Sequence, residues 1–207
     1  MDMSDPFSTV CPTLDGPVLS VLAGTSRPLS ARDVARLVSR GSWSGVRKTL
    51  HRLAAQGVVR REEVGNVQLY TLNRQHLAAP SIELLTDLRG ELIRRLSDSV
   101  HAWTISPRHV SIFGSAARGD GDLESDVDLF VVRPAKINAE NATWRQQLDA
   151  LALAVHDWTG NHAGISEVGT TEVAKAARSA AGKAIRDEGI LLAGVPLRQL
   201  FTKTRAA

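Results

Sequence analysis

Two short motifs near the middle of the chain constrain its structure more than any other feature. Gly114-Ser115 follows an apolar run that ends at Phe113, and after ten further residues the chain continues with Asp126-Val127-Asp128-Leu129. A glycine that opens a helix lets backbone N–H groups approach an anion, and the serine adds a hydroxyl donor. Aspartates at positions i and i+2 of a strand point to the same side, so both carboxylates can bind hard cations. The segment predicts a phosphate site beside a Mg²⁺ site.

A resemblance to a known family rests on the extended forms of these motifs. Residues 114–120 have the pattern Gly-Ser-x-Ala-Arg-Gly-Asp, and residues 125–129 have the pattern Ser-Asp-x-Asp-Leu. Both resemble the nucleotidyltransferase superfamily of DNA polymerase β type, particularly its small stand-alone bacterial members. The resemblance covers about residues 106–194. It implies a nucleoside triphosphate substrate and two Mg²⁺ ions, which activate an attacking oxygen and stabilise the leaving pyrophosphate.

The resemblance also assigns roles to individual side chains. The family uses a third carboxylate on a later strand, and Glu167 is the best match in this chain, although a glutamate at a strand edge can simply be solvated. Arg118 is either structural or close to the triphosphate, and Lys183 either reaches the phosphates or lies on a solvated helix face. The predicted catalytic and metal-binding residues are Asp126, Asp128 and Glu167. The predicted nucleotide-binding residues are Gly114, Ser115, Arg118 and Lys183.

The first part of the chain has the pattern of a different domain. Three short amphipathic helices are predicted, each followed by glycine, and then two strands around Gly65-Asn66, a turn composition that tolerates positive φ. This order is typical of a winged helix-turn-helix, which we place at residues 14–80. The predicted helices are Val18–Ala23, Ala31–Ser39 and Ser44–Gln56, and the predicted strands are Val58–Val64 and Val67–Leu72.

The remainder of the chain predicts a helix and then a small α/β layer structure. Leucine and isoleucine spaced three and four apart predict a linking helix over residues 81–105. A nucleotidyltransferase domain follows at residues 106–207, so the fold class is α+β, with a winged helix-turn-helix in front of a small mixed sheet flanked by helices. The predicted strands are His109–Phe113, Val127–Val132 and Ala163–Val168, and the longer predicted helices are residues 141–158 and 171–194.

Charge is unevenly distributed along the chain and favours a polyanionic partner for its first part. Before residue 81 there are ten Lys and Arg against six Asp and Glu, so this part has a net charge of +4. The rest of the chain has a net charge of −1, which gives +3 in total. In a winged helix-turn-helix the third helix enters the major groove of duplex DNA. The predicted nucleic-acid-binding residues are Arg47, Lys48, His51 and Arg52. The same fold also serves as a docking or dimerisation module, so a homodimer is a further expectation.

Composition excludes several classes of protein. Cys11 is the single cysteine, so neither a disulfide framework nor a cysteine-based zinc site can form. The six histidines show no metal-binding pair spacing. No apolar run approaches the roughly 20 residues that span a bilayer, and the first residues are acidic rather than basic. We therefore expect a cytoplasmic protein without a membrane partner.

Two functions remain open from the sequence. In the first, the protein transfers a nucleotidyl group from a triphosphate to RNA, such as tRNA, to a protein hydroxyl or to a small molecule. Some family members act in this way in toxin–antitoxin systems. In the second, it is a DNA-binding regulator whose second domain senses a nucleotide. The presence of Gly114, Ser115, Asp126 and Asp128 favours the enzyme, because a degenerate domain would be expected to lose an aspartate.

Overall fold

The computed structural model describes residues 1–38, 40–176 and 178–203, and the chain divides into two compact units. We call residues 5–88 the front unit and residues 1–4 together with 89–207 the back unit. Each unit has its own hydrophobic core. In the described part of the chain, no helix combines the length and the apolar character that crossing a membrane requires.

The front unit contains four helices and a three-stranded antiparallel sheet of order β1-β3-β2. Its core is formed mainly by apolar residues of α1, α3 and β3, including the fully buried Leu22, Leu50 and Tyr70. A 3₁₀ turn at Pro6–Thr9 precedes the first helix. The elements are α1 (Asp15–Ala23), β1 (Leu29–Ser30), α2 (Ala31–Leu37), α3 (Trp43–Ala55), β2 (Val59–Val64), β3 (Val67–Leu72) and α4 (Ala79–Thr86).

Side-chain caps explain where the helices of the front unit begin. The Ser30 hydroxyl accepts the Asp33 N–H, and the Asp33 carboxylate accepts the Ser30 N–H, a reciprocal arrangement that satisfies two free donors. The Ser42 hydroxyl likewise accepts the Gly45 N–H at the start of α3. The predicted helices and hairpin are present, although α2 ends at Leu37 and the predicted end at Ser39 lies outside the described residues. The assignment as a winged helix-turn-helix stays a prediction.

The segment predicted as one linking helix is divided in the structure. α4 ends at Thr86, and α5 (Leu88–His101) follows after Asp87, whose φ of −114° and ψ of 29° are not helical. Ile82 of α4 lies in the core of the front unit, whereas Leu92 and Leu96 of α5 lie in the core of the back unit. Spacing alone did not show this, because the apolar positions of both helices continue one pattern.

The back unit is built on a four-stranded mixed sheet of order β6-β5-β4-β7. The two central strands are antiparallel and buried, while β5 and β6 run parallel and are joined by the long helix α7. The remaining elements are β4 (His109–Phe113), α6 (Gly114–Arg118), β5 (Val127–Arg133), α7 (Ala142–Thr159), β6 (Ala163–Gly169), α8 (Val173–Ala176), α9 (Ala180–Glu188), β7 (Ile190–Gly194) and α10 (Leu197–Lys203).

Strand alternation gives this sheet two distinct faces. Leu129 and Val131 of β5 pack in a cluster with Trp144 of α7 and residues of α5, and we call this side the α7 face. Phe130 and Val132 pack in a second cluster with Ile185 of α9 and residues of α8 and α10, and we call this side the α9 face. Successive residues of one strand therefore contact different helices.

The last part of the back unit differs from the sequence prediction. Residues 171–194 were predicted as one helix, but the structure has α8, α9 and then β7, which pairs antiparallel with β4; Ala177 lies outside the described residues. α9 ends before Gly189, whose backbone is extended, with φ of −67° and ψ of 131°. The apolar run at 190–193 is short, and periodicity does not distinguish a buried strand from a helix over so few residues.

Candidate active site

A sharp turn at Gly114 connects β4 to the short helix α6. Gly114 has φ of +68°, which favours glycine, and an added Cβ would lie 2.6 Å from Asp128 Oδ2. The glycine is therefore required twice, by its backbone conformation and by the close approach of the aspartate. Ser115 follows it in the first turn of α6, and its carbonyl oxygen accepts the N–H groups of Gly119 and Asp120 at 2.8 and 3.1 Å.

Asp126 and Asp128 lie on the same side of β5. Asp128 is in register with Phe113 on one neighbouring strand and with Gly164 on the other. A Cβ on Gly164 would lie 2.8 Å from Asp128 Oδ1 and 3.8 Å from Asp126 Cβ. The Asp128 carboxylate thus lies between two glycines, and Gly164 is a site residue that the motifs did not indicate.

Neither of these carboxylates has a cationic partner in the part of the chain that the structure describes. Among the residues that the structure describes, no Lys, Arg or His forms an ion pair with Asp126 or Asp128. Partial burial raises the pKa of Asp128 above its ordinary value, and the negative charge of Asp126 raises it further. Asp126 is exposed and Asp128 is half-buried, so no protein cation offsets their mutual repulsion in the described site, and a bound cation would offset it.

A compact turn positions the backbone immediately before Asp126. The Ser125 hydroxyl donates to Asp122 Oδ1 at 2.7 Å, and this bond is the main cause that lowers the pKa of Asp122. Asn161 is buried, and its side-chain amide donates to the carbonyl oxygens of Asp122, Leu123 and Ser125 at 3.3, 3.4 and 2.9 Å. This contact could not be predicted from the motifs, since Asn161 lies 35 residues beyond Asp126 along the chain.

The structure does not bring Glu167 to the aspartate pair, so its prediction as a third metal ligand is wrong. Glu167 is in register with Val131 and lies on the α7 face, opposite to Asp128. Its Oε1 accepts the Trp144 indole N–H at 2.9 Å and the Arg133 Nε–H at 2.7 Å, and Arg145 lies 3.5 Å from Oε2. Glu167 is a satisfied structural carboxylate.

The α9 face of β6 carries no carboxylate at the positions nearest to Asp128. Gly164 is in register with Asp128, and the exposed Ser166 is in register with Phe130. In the described part of the chain, no group of three or more His, Cys, Asp or Glu is arranged to hold a metal ion. The site offers two carboxylates from the protein, not three.

The two predicted cationic residues differ in their surroundings. Arg118 donates to Asp120 at 2.9 Å and to Glu188 of α9 at 2.8 Å, and hydrogen bonds to these carboxylates raise its pKa above the ordinary value. Arg118 therefore joins α6 to α9, which agrees with its structural alternative. Lys183 is exposed on α9, and this helix packs against α6 on the same face of the sheet as Asp128.

Arg89 is a further residue that the motifs did not indicate. Its guanidinium donates to the carbonyl oxygens of Ala116, at 3.0 Å, and of Ala117, near the end of α6. A cation at this end of a helix opposes the partial negative charge of the free carbonyl groups. Arg89 thus fixes the short helix that follows Gly114.

The residues present fit a Mg²⁺ ion that is bound together with a triphosphate. Mg²⁺ in nucleotide sites is held by one or two carboxylates and by substrate phosphates, and it keeps several waters. Asp126 and Asp128 supply two unpaired carboxylates, and the glycines at 114 and 164 leave the Asp128 oxygens uncovered by neighbouring side chains. These residues would hold the ion, with the remaining ligands coming from phosphate and water.

The predicted nucleic-acid-binding residues of the front unit do not form one set. Arg47, Lys48 and His51 lie along one side of α3 and line a common open groove with Trp43. Arg52 instead forms an ion pair with Asp15 of α1 and donates to Gln56 of its own helix at 3.2 Å. Arg52 therefore lies outside the lining of that groove, and its role in nucleic-acid binding stays a prediction.

Comparison with known proteins agrees with the chemistry of the back unit. Residues 93–168 match the profile of the nucleotidyltransferase domain family (NTP_transf_2), and this match supports a transferase. The matched residues include both the Gly114-Ser115 motif and the Asp126–Asp128 motif. No curated protein sequence matches the chain.

Two crystal structures of toxin–antitoxin proteins align with about half of the chain. A mutant of the toxin–antitoxin MntA–HpeT has a TM-score of 0.37 and 13% identity, over 55% of this chain and 84% of that chain. A toxin–antitoxin with AMP-PNP has a TM-score of 0.34 and 18% identity, over 56% of this chain and 83% of that chain. These TM-scores are too low to support an argument about function.

Proposed function

We propose that the protein is a Mg²⁺-dependent nucleotidyltransferase that acts on a hydroxyl group of RNA or of a protein. The observation that carries the proposal is the unpaired Asp126–Asp128 couple beside the Gly114 turn, within residues that match the nucleotidyltransferase domain. Protein cations neutralise most buried carboxylates, as they do for Glu167. A carboxylate pair left without such a partner is suited to a metal-bound substrate.

The protein's own residues have separate tasks in this mechanism. Asp126 and Asp128 hold the metal-bound triphosphate, and the backbone N–H groups and hydroxyl at Ser115 donate to its phosphate oxygens. Asn161 and the Asp122–Ser125 turn fix the backbone before Asp126, which keeps the two carboxylates in one orientation. Bound Mg²⁺ supplies charge stabilisation to the oxygens of the attacking hydroxyl and the leaving pyrophosphate.

The transfer itself balances as a displacement at the α-phosphorus. The acceptor hydroxyl oxygen forms a bond to this phosphorus, the bond to the pyrophosphate oxygen breaks, and the hydroxyl proton leaves to a base. Because Glu167 lies on the α7 face, we do not assign it this proton. Asp126 and Asp128 are assigned to the metal in this proposal, so the proton passes to solvent.

A regulator that only senses a nucleotide is the alternative. Nucleotide binding alone does not require two carboxylates that repel each other, so retention of both Asp126 and Asp128 favours catalysis. We include a toxin–antitoxin role among the candidate settings because the motifs resemble those of small bacterial nucleotidyltransferases.

Incubation with each α-phosphate-labelled triphosphate, Mg²⁺ and a cell lysate tests the proposal. We expect label to enter either the RNA or the protein fraction, and nuclease and protease treatment of the product identifies which. Asp126→Asn is the matched control, because it keeps the shape of the side chain and removes one anionic ligand. Equal labelling by wild type and by this variant, or no labelling with any triphosphate, would overturn the proposal.

A further inference from the structure

A cluster of open grooves surrounds one exposed aromatic residue on the front unit. Trp43, the first residue of α3, is 50% exposed and forms a wall of three adjoining grooves of about 520, 610 and 450 Å³. Sites for small organic ligands commonly have volumes of about 300–1,000 Å³. We call this surface the Trp43 surface, and its other principal residues are Arg32, Arg47, Lys48, His51 and Tyr70.

The cations of the Trp43 surface have no carboxylate partner among the described residues. In the part of the chain that the structure describes, Arg32, Arg47 and Lys48 form no ion pair with a carboxylate, whereas four other arginines of the front unit do. The four paired arginines are Arg36, Arg40, Arg52 and Arg74. Among the described residues, Arg27, Arg60 and Arg61 also have no ion pair, but only the unpaired cations at 32, 47 and 48 line the grooves beside Trp43, where they can attract an anion.

Acidic residues are absent from the lining of the same surface. Among the described residues, neither Asp nor Glu lines the three grooves that include Trp43. Glu62 and Glu63 of the hairpin are exposed on β2, outside that lining. A polyanion can therefore lie along this surface without opposing a carboxylate.

Trp43, Arg47 and His51 occur at intervals of four residues, so they form one stripe along α3. His51 is fixed at one end, where its ring meets the buried Tyr70 ring edge-on at 6.3 Å between centroids. An indole beside a guanidinium on the same stripe can contact neighbouring nucleotides, with aromatic stacking on a base and charge on a phosphate. Duplex DNA hides the faces of its bases, whereas an unpaired base exposes them.

We propose that the Trp43 surface binds a single-stranded segment of nucleic acid and stacks an unpaired base on the Trp43 indole. Arg32, Arg47 and Lys48 contact the phosphates on either side of that base. The preference for single strands follows from the exposed indole, because base-edge contacts in a duplex groove use hydrogen-bonding side chains. The proposal does not depend on catalysis by the back unit.

Fluorescence anisotropy of the full-length protein, without nucleoside triphosphate, tests this. The probes are a labelled single-stranded RNA, a single-stranded DNA of the same sequence, and the corresponding DNA duplex. We expect either single strand to bind more tightly than the duplex, and the comparison of RNA with DNA identifies the preferred sugar. Trp43→Ala should weaken single-strand binding about tenfold or more, because stacking contributes about 1–3 kcal/mol per base. Trp43→Phe, which keeps an aromatic ring, should restore most of the affinity.

Arg47→Ala and Arg52→Ala form a matched pair on the same helix. Arg47→Ala should weaken binding and reduce the slope of log affinity against log salt concentration by about 0.7, the value for one phosphate contact on a single strand. Arg52→Ala should leave both unchanged, since Asp15 already holds that charge. Melting temperatures control for folding. Duplex binding as tight as single-strand binding, or unchanged affinity in Trp43→Ala, would overturn the proposal.

Discussion

Both faces of the sheet in the back unit carry acidic residues, but the two faces differ in whether protein cations pair with those residues. On the α9 face, Asp126 and Asp128 have no cationic partner among the described residues, and two glycines leave the Asp128 oxygens uncovered. On the α7 face, Glu167 is surrounded by Arg133, an indole N–H and Arg145. Asp126 is exposed and Asp128 is half-buried, so the unpaired couple remains open to the external cation that we propose. The paired carboxylate stabilises the fold.

The largest effect that tests this comparison is loss of activity at the aspartate pair. Asp126→Asn or Asp128→Asn should lower the rate of nucleotidyl transfer by two or more orders of magnitude, equivalent to about 3 kcal/mol of transition-state stabilisation. Each variant keeps the side-chain shape and removes one ligand of the metal-bound triphosphate. Transfer of label to the acceptor measures the rate, and circular dichroism checks the fold. Full activity in either variant would place the metal site elsewhere.

Removal of the divalent cation should abolish nucleotide binding. The phosphates of the substrate and the two unpaired carboxylates are all negative, so they repel one another unless a cation lies between them. Calorimetric titration of the protein with a nucleoside triphosphate should give measurable binding in Mg²⁺ and none in EDTA. Equal affinity in the two conditions would contradict the role that we assign to Asp126 and Asp128.

Gly164→Ala should disturb the Asp128 carboxylate by steric contact, without removing any ligand. Its Cβ would lie 2.8 Å from Asp128 Oδ1, so the carboxylate must move, and we expect the transfer rate to fall about tenfold. Ser166→Ala, two residues further along the same face of β6, is the matched control and should have little effect. If both variants have the wild-type rate, the position of the Asp128 carboxylate is not critical.

Glu167→Gln should lower the stability of the protein and leave its transfer rate unchanged, whereas the aspartate variants should lose transfer and stay folded. Because Arg133 and Glu167 are both largely buried, the change leaves the arginine without its charged partner and should lower the free energy of unfolding by about 1–3 kcal/mol. The transfer rate per folded molecule should remain close to that of the wild type. Chemical denaturation and the labelling assay measure the two quantities. Unchanged stability with lost activity would return Glu167 to the catalytic residues.

The smallest expected effect concerns stability and pH at Asp128. Its raised pKa means that the folded protein binds this proton more tightly than the unfolded chain does. The resulting destabilisation is absent below the ordinary pKa of 3.8 and grows as the pH rises through the raised value. In EDTA at neutral pH, Asp128→Asn should therefore melt at a higher temperature than the wild type, and this difference should disappear at acid pH. A constant difference across the range would contradict it.

The sequence by itself determined which residues form the candidate site on β4, α6 and β5. Gly114, Ser115, Asp126 and Asp128 were identified by type and spacing, because a glycine turn and an i, i+2 pair on a strand are local properties of the chain. The strands around them were also predicted close to their observed bounds. The predicted mixed sheet flanked by helices is present, but it contains the additional strand β7.

Only the tertiary structure decided which of the other polar residues serve the site. The face on which Glu167 lies depends on its register with β5, and a shift of one residue would reverse that face. Arg52 is paired with Asp15, which lies 37 residues before it in the chain. Asn161 donates to the Asp122–Ser125 turn, which begins 39 residues before it. Spacing along the chain specifies side-chain direction only within one element. Partners and faces between elements are set by packing, which brings distant residues together.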